Sequence, residues 1–404
     1  MKHVLFVDDE QRILDGLRRM FRPMREEWHA VFAPSGQAAL DELAKAHFDV
    51  VVTDMRMPGM DGVQLLSEVR KRYPSVVRIV LTGQSDRETT LRSLGQTHQC
   101  LSKPCDPDEL KRTVMRAVAL RELLVNESIR SLVAGMQSLP SVPTIYNALL
   151  SEIESPKSSM ESVANIISQD IGMTGKVLQL VNSAFFGLPK AITNPAQAIS
   201  LLGLDTVKAL VLGIHVFSAY RGAQGSHFQI EALWKHSLAT GKLARMIVEQ
   251  EHGLPNVADS ACTAGLLHDV GVMVLAANIP EYAGDILQSA KLPGTNLSDV
   301  ERERLGATHA EVGAYLLGLW GLGDSIVEAV AFHHAPTQCL NRTFGPLTAV
   351  HVANGLVRED LTGKEESLPP RVNDDYLRAL GLADRLPRWR ELYRRSLEME
   401  VAHD

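Results

Sequence analysis

The sequence predicts an α/β domain with a doubly wound, five-stranded parallel sheet, followed by an all-α domain. In about the first 120 residues, short continuous apolar runs alternate with stretches of helical periodicity, which is typical of buried parallel strands covered by helices on both faces. Beyond Pro143, apolar residues follow helical spacing almost throughout, and strand-like alternation is nearly absent. A chain of 404 residues is long enough for two or three such domains.

Five short apolar runs are the predicted strands, and polar residues directly follow four of them. The runs occupy residues 4–7, 30–32, 49–53, 78–81 and 100–102. The polar residues that follow are Asp8 and Asp9, Asp54, Thr82 and Lys103. Because the carboxyl ends of parallel strands meet at one edge of the sheet, where doubly wound folds bind their ligands, we expect these five side chains to converge.

The five polar residues have the chemistry of a site that accepts a phosphoryl group. Three neighbouring carboxylates repel one another unless a cation joins them, and hard oxygen ligands suit Mg²⁺. A lysine and a hydroxyl can neutralise and hydrogen-bond phosphoryl oxygens, and an aspartate in this setting can act as a nucleophile that forms an acyl phosphate. The alternative is that Asp8 and Asp9 cap a helix and Asp54 occupies a turn. The ordered placement of all five residues favours the site.

Four motifs in this region carry a family resemblance: FVDDE at 6–10, TDMRMPGMDG at 53–62, LTG at 81–83 and KP at 103–104. With these motifs, residues 1 to about 120 resemble the receiver domain of two-component response regulators. The resemblance implies that Asp54 accepts phosphate from a sensor histidine kinase. It also implies that Asp9, Asp54 and the backbone carbonyl of Arg56 bind Mg²⁺ directly, while Asp8 acts partly through water.

The same resemblance assigns roles at the remaining strand ends and exposes one departure. Thr82 and Lys103 would detect the phosphoryl group, and the peptide bond between Lys103 and Pro104 would be cis, which proline tolerates. The family usually carries an aromatic switch residue three positions before this lysine, where the chain has Cys100. The movement of the Thr82 hydroxyl can therefore be kept, but a coupled rotation of an aromatic ring cannot.

A helical segment from Asp108 through Met136 joins the two predicted domains. It contains no proline and no glycine before Gly135, and its apolar residues recur near heptad spacing, so we expect one long helix or two nearly continuous ones. Two interpretations of the apolar stripe stay open: it pairs with a second copy as a short coiled coil, or it packs on its own domain. Pro140 and Pro143 end the segment, because proline cannot continue a helix.

The all-α region contains six residues that can converge on a metal ion: His236, His268, Asp269, His309, His333 and His334. Imidazole and carboxylate ligands from separate helices hold transition metals in bundle cores, and a carboxylate beside a histidine can bridge two of them. Water bound to such a metal becomes a hydroxide nucleophile. Thr308 and Glu311 predict a capping box at the start of the helix that carries His309. The alternative is that these are hydrogen-bonded core histidines, with His333 and His334 providing positive charge at a helix C-terminus.

A second resemblance rests on six stretches: LPSVP at 139–143, IGMTGKVL at 171–178, VNSAFFG at 181–187, AISLLGL at 198–204, GLLHDVG at 265–271 and HAEVGAYLL at 309–317. Residues from about 135 to 340 resemble the HDOD domain, a relative of HD phosphohydrolases and of HD-GYP cyclic di-GMP phosphodiesterases. This resemblance implies an output domain with the histidine and aspartate ligands of an HD-type site.

Three departures from the catalytic relatives argue against catalysis. Val272 replaces the lysine that follows the His-Asp motif of HD-GYP enzymes, and no Gly-Tyr-Pro follows His334. Asn354 stands where the HD family closes its site with an aspartate, and a neutral amide ligates a cation less well than a carboxylate does. We therefore expect a signalling module with a weakened site for a transition metal (Fe, Mn or Zn) or for a nucleotide, and we assign no catalytic residue.

These patterns divide the chain into a receiver domain at 1–120, a helical linker at 121–138, an HDOD domain at 139–340 and a C-terminal helical extension at 341–404. The expected function is signalling that phosphorylation controls, exerted by a homodimer through contacts with a downstream protein. A rival interpretation is a metal-dependent cyclic di-GMP phosphodiesterase. A DNA-binding regulator is disfavoured, because the net charge is −7 and no helix-turn-helix with a basic recognition helix follows the receiver.

The cysteine pattern, the N-terminal sequence and the apolar stretches indicate the cellular location of the protein. The four cysteines are scattered without CxxC spacing, which indicates reduced thiols. A strand pattern begins directly after the first residues, so no signal peptide is expected. The stretch near 207–217 is taken as the longest strongly apolar one, and it is too short to span a bilayer. We expect a cytoplasmic protein that does not contact the membrane.

Overall fold

A computed structural model of the chain describes residues 2–83, 96–103, 105–136, 139–141, 143–155, 158–182, 191–204, 206–207, 218–219, 230–279, 281–289, 295–361 and 372–401. The chain forms two compact units. The first unit contains residues 1–137, 179–191 and 315–322, and the second contains residues 138–178, 192–314 and 323–404.

The first unit is built on a five-stranded parallel sheet with the strand order β2-β1-β3-β4-β5. Its strands are β1 (Lys2–Val7), β2 (Trp28–Ala33), β3 (Val50–Asp54), β4 (Val77–Thr82) and β5 (Gln99–Ser102). The strand order reverses at β1 and β3, so the switch point of a doubly wound sheet lies at their carboxyl ends. The predicted fold class is confirmed.

Helices cover both faces of this sheet: α1 (Gln11–Phe21), α2 (Gly36–Lys45), α3 (Gly62–Arg72) and α4 (Pro107–Leu123). On one face, Leu5 and Val51 share a buried core with Leu65 of α3. On the other face, the ring of Phe6 lies 4.7 Å from the ring of Phe21 in α1. The apolar runs are continuous because successive strand residues are buried on opposite faces. The helix expected between β4 and β5 falls outside the described residues.

The segment that joins the predicted domains forms two helices, which is the second of the alternatives that its sequence allowed. After α4, the helix α5 runs over Glu127–Gly135, and Asn126 caps it by accepting a hydrogen bond from Ile129 N at 3.1 Å. Five of the seven heptad-spaced residues are buried within the single chain: Leu110, Val114, Val118, Arg121 and Leu124. The other two, Ser128 and Leu132, are exposed and half-buried. Most of the stripe thus packs on its own chain, and pairing of two copies stays a prediction.

The second unit is helical. Its helices are α6 (Pro143–Glu154), α7 (Met160–Ile167), α8 (Ile171–Asn182), α9 (Pro195–Leu202), α10 (Ile230–Gln250), α11 (Pro255–Leu267), α12 (Val270–Asn278), α13 (Leu297–Leu305), α14 (His309–Leu319), α15 (Asp324–Phe332), α16 (Pro346–Leu361), α17 (Asp374–Ala379) and α18 (Leu386–Val401), of which α8 and α14 end in the first unit. A π-helical turn, Tyr282–Ile286, precedes α13, and the two-residue strands β6 (Pro140–Ser141) and β7 (Ser218–Ala219) pair in parallel.

Four helices at the centre of this unit, α10, α11, α15 and α16, pack on one another. Two glycines allow α10 and α11 to cross closely, because a Cβ atom on Gly265 would lie 2.7 Å from the Cα atom of Gly241. This close crossing carries His236 of α10 towards His268, which follows α11.

One apolar stretch, Pro255–Asn278, is long and apolar enough to cross a membrane by composition alone. It comprises α11 and α12, and 89% of its most apolar window is buried inside the protein, as in a core helix of a soluble protein. This stretch, and not the one at 207–217, is therefore the longer apolar segment, and residues 208–217 lie outside the described residues. The cytoplasmic location stays a prediction.

Candidate functional site

The first site lies at the carboxyl edge of the five-stranded sheet. Asp8 follows β1 and Asp54 ends β3, and these strands are hydrogen-bonded neighbours. Lys103, which follows β5, reaches both carboxylates: its Nζ atom lies 2.6 Å from Asp54 Oδ1 and 3.0 Å from Asp8 Oδ2. Three of the five predicted side chains are thus in direct contact.

The other residues predicted for this site surround that contact. Thr82 is buried at the end of β4, and its carbonyl accepts a hydrogen bond from the backbone N–H of Lys103 at 2.6 Å. The backbone N–H of Arg56 donates to Asp54 Oδ2 at 3.2 Å. Asp9 is exposed beside the buried Asp8. Pro104, and with it the predicted cis peptide, lies outside the described residues.

The electrostatics of this edge suit a cation. Burial raises the pKa of Asp54 and the charge of Asp8 adds to this rise, although the hydrogen bond from Lys103 acts in the opposite direction. Burial lowers the pKa of Lys103, but its bonds to Asp54 and Asp8 outweigh burial and raise it. Two buried carboxylates share one ammonium group, and the exposed Asp9 follows Asp8 in the chain, so hard oxygen atoms carry excess negative charge at this edge. This donor set fits Mg²⁺.

A glycine holds the loop after β3 against Asp54. Gly62 N donates to Met55 O at 2.9 Å, and a Cβ atom on Gly62 would lie 2.1 Å from Asp54 O. No other residue type fits at this distance without moving the backbone. Asp61 caps the helix α3 that begins here, in a capping box with Gln64.

The second site lies inside the helical unit, and the structure brings all six predicted metal-binding residues and Asn354 together there. They come from α10 (His236), the junction of α11 and α12 (His268, Asp269), the first residue of α14 (His309), the end of α15 (His333, His334) and α16 (Asn354). The predicted capping box that opens α14 is confirmed, since Thr308 N donates to Glu311 Oε2 at 2.9 Å and Glu311 N donates to Thr308 Oγ1 at 3.3 Å.

One half of this site surrounds Asp269 Oδ2, and we call it the HD half. His268 Nε2 lies 3.3 Å from this oxygen, and His236 Nε2 lies 3.8 Å from it. The two Nε2 atoms are 3.2 Å apart, and Asn354 Oδ1 lies 3.1 Å from His236 Nε2.

The other half surrounds Asp269 Oδ1, and we call it the distal half. Asp269 Oδ1 lies 3.4 Å from His309 Nε2 and 3.5 Å from His333 Nε2. His309 Nε2 and His334 Nε2 are 3.0 Å apart. The carboxylate of Asp269 therefore stands between two sets of imidazoles.

Hydrogen bonds behind the rings orient three of these histidines. His268 Nδ1 lies 2.7 Å from Gly265 O, and His333 Nδ1 lies 2.8 Å from Val330 O. A carbonyl only accepts, so Nδ1 carries the proton in both rings and Nε2 offers a lone pair to the site. His309 Nδ1 donates in the same way to Glu301 Oε2 at 2.7 Å.

The titration behaviour of the histidines differs with their partners. Burial lowers the pKa of His236 and of His333 to about 3, so both rings are neutral. Burial also lowers the pKa of His309, but the carboxylates of Glu301 and Asp269 outweigh it and raise that pKa to about 10. A metal ion that binds His309 Nε2 must therefore displace a proton.

The arrangement fits a transition metal. Asp269 Oδ1 and His333 Nε2 are buried, and neither has a hydrogen-bond partner among the described residues. Two ligands of one ion, each about 2.1 Å from it, lie roughly 3 to 3.5 Å apart. The contacts of the distal half have this spacing, and so have those of the HD half except for the 3.8 Å between His236 Nε2 and Asp269 Oδ2. Imidazoles with one carboxylate suit Fe, Mn or Zn.

The sequence did not reveal two charged residues at this site. Glu301 of α13 is fully buried; besides the His309 ring, it accepts hydrogen bonds from His309 N at 2.9 Å and from Tyr282 Oη. Arg358 Nη2 donates to Asp269 Oδ2 at 3.0 Å. A sequence signal existed for Arg358, which follows Asn354 by one helical turn on α16.

The structure also describes the positions where the sequence departs from that of the catalytic relatives. Val272 is buried in α12, so no basic side chain occupies the position of the HD-GYP lysine. Pro336–Gln338 form a short 3-10 helix after His334, where the catalytic relatives carry Gly-Tyr-Pro. His351, close to Asn354 in α16, is not a ligand: its Nδ1 bonds His333 O at 2.7 Å and its Nε2 accepts from Asn373 N at 2.9 Å.

Comparison with known families finds two matches. Residues 4–115 match the response regulator receiver domain, and residues 139–336 match the HDOD domain. A solved structure, the MmoQ response regulator from Methylococcus capsulatus, is 27% identical with a TM-score of 0.49, and the alignment covers 63% of this chain and 98% of that one.

Curated relatives match parts of the chain. An uncharacterized protein of Treponema pallidum is 27% identical over 232 residues, which cover 56% of this chain and 44% of that protein. The hydrogenase transcriptional regulatory protein HoxA of Cupriavidus necator is 39% identical over 122 residues, or 30% of this chain and 25% of that protein. The chain thus spans less than half the length of either relative.

Proposed function

The chain is a two-component response regulator in which a receiver domain precedes an HDOD domain, and we propose that it accepts a phosphoryl group on Asp54 and signals through a non-catalytic HDOD output. The donor is a sensor histidine kinase, and the output acts by contact with a downstream protein. The proposed boundaries are 1–120 for the receiver, 121–138 for the linker, 139–340 for the HDOD domain and 341–404 for the extension.

The observation that carries the phosphorylation proposal is the contact of Lys103 with both Asp54 and Asp8. An Asp54 carboxylate oxygen attacks phosphorus, an O–P bond forms, and the N–P bond of the donor phosphohistidine breaks as its imidazole leaves. Asp8, Asp9, Asp54 and the Arg56 carbonyl would hold Mg²⁺, which neutralises charge on the phosphoryl oxygens. The ammonium group of Lys103 then turns from the Asp54 carboxylate to a phosphoryl oxygen. The hydroxyl of Thr82 can hydrogen-bond a phosphoryl oxygen as well.

The phosphorylation proposal is tested with acetyl phosphate and Mg²⁺, followed by intact-mass spectrometry. We expect one phosphoryl group per chain on wild-type protein and none on Asp54→Asn. Asp15→Asn, at a partly exposed position in α1, serves as the matched control and should be modified like wild type. Stoichiometric phosphate on Asp54→Asn would show that another residue is the acceptor.

The proposal of a non-catalytic output rests on Asn354, Val272 and Arg358. Asn354 supplies no negative charge to a metal ion, and Val272 supplies no positive charge to a scissile phosphate. Arg358 already bonds the carboxylate that two metal ions would have to share. Losing one such electrostatic group typically costs about 10²–10³ in rate, so the losses together remove useful turnover.

A second candidate function, a cyclic di-GMP phosphodiesterase, is favoured by the convergence of five predicted histidine ligands around the sixth, Asp269. Incubation of the protein with cyclic di-GMP and Mn²⁺ or Fe²⁺ separates the two candidates. Steady multiple turnover would establish the enzyme. Absence of turnover, whether or not cyclic di-GMP binds, supports the signalling module.

The remaining parts of the proposal concern partners. A pull-down that compares wild-type protein, phosphorylated and unphosphorylated, with Asp54→Asn identifies a downstream protein by its dependence on phosphate. Light scattering with and without a beryllium fluoride mimic tests the proposed homodimer. A DNA-binding output stays disfavoured by the net charge of −7.

A further inference from the structure

The two halves of the histidine site each place imidazoles 3.3 to 3.8 Å from one oxygen of Asp269, but the two oxygens differ in their other partners. In the HD half, Asp269 Oδ2 already accepts a hydrogen bond from Arg358 Nη2 at 3.0 Å. In the distal half, Asp269 Oδ1 has no hydrogen-bond partner among the residues that the structure describes, and neither has His333 Nε2, which lies 3.5 Å away. The unsatisfied atoms that a metal ion would bind are therefore both in the distal half.

The charges at the site also favour a metal ion in the distal half. In the HD half, the imidazoles of His236 and His268 and the Asn354 amide surround a carboxylate oxygen whose charge Arg358 balances. In the distal half, the buried Glu301 carboxylate stands behind His309 and adds negative charge. Asp269, Glu301 and Arg358 together give a single net negative charge, which one divalent ion can offset. Two divalent ions would leave an excess of three positive charges in a buried site, which is strongly unfavourable.

Arg358 can also hold its position without a metal ion. It lies on α16 one turn after Asn354, so the same helix that lacks the HD-family carboxylate supplies a cation. Its side chain is 26% exposed, whereas Asp269 is buried, so the charged head enters the HD half from the protein surface. The loss of an anionic ligand and the gain of a cation thus occur on one helix face.

We propose that Arg358 takes the place of one metal ion in the HD half, so that the site binds a single divalent transition metal in the distal half. Asp269 Oδ1, His309, His333 and His334 are its ligands, and Glu301 orients His309. The inference deepens the proposed metal-binding HDOD output, and it concerns metal number and place, not phosphorylation or turnover.

The first experiment counts metal ions. Protein is stripped with chelator, loaded with Mn²⁺ or Zn²⁺, dialysed and analysed for metal and protein content, and affinity is measured by titration calorimetry. Wild type should hold one ion per chain. His334→Gln should lower the affinity at least about tenfold, and His236→Gln, in the HD half, should still hold one ion. Equal losses in both variants, or two ions or none in wild type, would overturn the proposal.

The second experiment restores metal binding in the HD half. In the double variant Asn354→Asp with Arg358→Gln, the carboxylate is back and the tethered cation is gone, so we expect two ions per chain. The single variant Asn354→Asp should stay at one ion, because Arg358 still occupies Asp269 Oδ2. One ion in the double variant would show that Arg358 does not decide the number. Circular dichroism checks that each variant is folded, and Co²⁺ absorption gives a second readout of ligand geometry.

These measurements separate the present inference from the proposed function. Phosphate uptake by Asp54 is read by mass spectrometry and turnover by product formation, and neither depends on the metal count. A wild-type protein with two ions and no turnover would end this inference and leave the signalling output standing.

Discussion

The two sites of this protein each pair a buried carboxylate with a basic side chain, yet they shift the pKa of that carboxylate in opposite directions. Asp54 lies 2.6 Å from Lys103, and Asp269 lies 3.0 Å from Arg358. Burial dominates at Asp54 and raises its pKa. At Asp269 burial also raises the pKa, but His268 and Arg358 outweigh it and hold that pKa well below its usual range.

The difference shows that neighbours, and not burial alone, decide what a buried carboxylate can do. Asp54 stands at an open edge with one cation and a like charge, so it gains from a new cation or from covalent neutralisation. Asp269 is enclosed by imidazoles and a guanidinium, so it is held as a permanent anion. The first environment suits a group that reacts, and the second suits a group that organises other residues.

Both sites nevertheless depend on the same backbone device. A Cβ atom on Gly62 would lie 2.1 Å from Asp54 O, and one on Gly271 would lie 1.9 Å from His309 O. Gly62 lets the start of α3 approach the backbone of Asp54, and Gly271 lets the start of α12 approach the backbone of His309. The two glycines therefore offer a matched way to damage one site at a time.

The largest expected effects come from Gly62→Ala and Gly271→Ala. Gly62→Ala should abolish phosphate uptake at Asp54 and leave metal content unchanged. Gly271→Ala should abolish metal binding and leave phosphate uptake unchanged. Overpacking of this kind costs about 1–3 kcal/mol or more, and here the clash is with backbone that cannot rotate away. Intact mass and metal analysis on the same samples check both variants.

Gly16→Ala is the control for these glycine variants. Nothing lies within 4 Å of a Cβ atom at this α1 position, so both sites should keep their function. The unfolding free energy should rise by up to about 1 kcal/mol, because alanine favours helix over glycine. If Gly62→Ala or Gly271→Ala behaved like Gly16→Ala, the close approach would not support the sites.

The sequence predicted that Asp8, Asp54 and Lys103 converge, because strand ends are local signals. An apolar run that stops at a polar residue fixes both the strand and the edge where that residue lies, as at Asp54 and Lys103. The sequence left two alternatives undecided in the linking segment. The structure breaks the helix where Asn126 caps α5, and it buries Leu124 within its own chain.

The histidine site was predicted less completely because its charges are set by tertiary packing. The six predicted metal-binding residues follow from motif order, and the structure brings them together. Glu301 lies in the helix LSDVERERL, and such a high content of charged residues is typical of a solvent-exposed helix. Its burial depends on which face meets Tyr282 and His309, and no local pattern reports that. Arg358 was within reach of the sequence through its one-turn spacing from Asn354.

A smaller effect is expected from Glu301→Gln. The glutamine keeps the size and an acceptor oxygen but removes the charge that supports the His309 ring, so metal affinity should fall by about 10–100-fold. Glu303→Gln, at an exposed position of the same helix, is the matched control and should bind metal like wild type. Titration calorimetry measures both. Equal affinities for Glu301→Gln and Glu303→Gln would mean that the carboxylate does not tune the site.

The helix caps beside the two sites should have effects of about 1 kcal/mol. Asp61→Ala removes the cap of α3 next to Asp54, and Thr308→Ala removes the cap of α14 next to His309. Hydrogen–deuterium exchange should show faster exchange in the first turn of α3 for one variant and of α14 for the other. Thr308→Ser, which keeps the acceptor, should restore protection. Faster exchange at both helices in both variants would point to general destabilisation, not to local caps.

The smallest expected effect is a pH dependence that only the receiver site should show. The pKa of Asp54 is raised in the folded protein, above the value of about 3.9 for an unfolded chain. Between these two pKa values the folded state binds the proton more tightly, so the contribution of Asp54 to stability falls as pH rises through this window. The unfolding free energy of wild type minus that of Asp54→Asn should therefore fall from pH 4 towards neutrality in EDTA. Exchange of β3 peptides in urea reports this for the receiver sheet alone. Added Mg²⁺ favours the ionised carboxylate and should shrink the fall; a difference that rises with pH in EDTA would mean that Lys103, and not burial, governs Asp54.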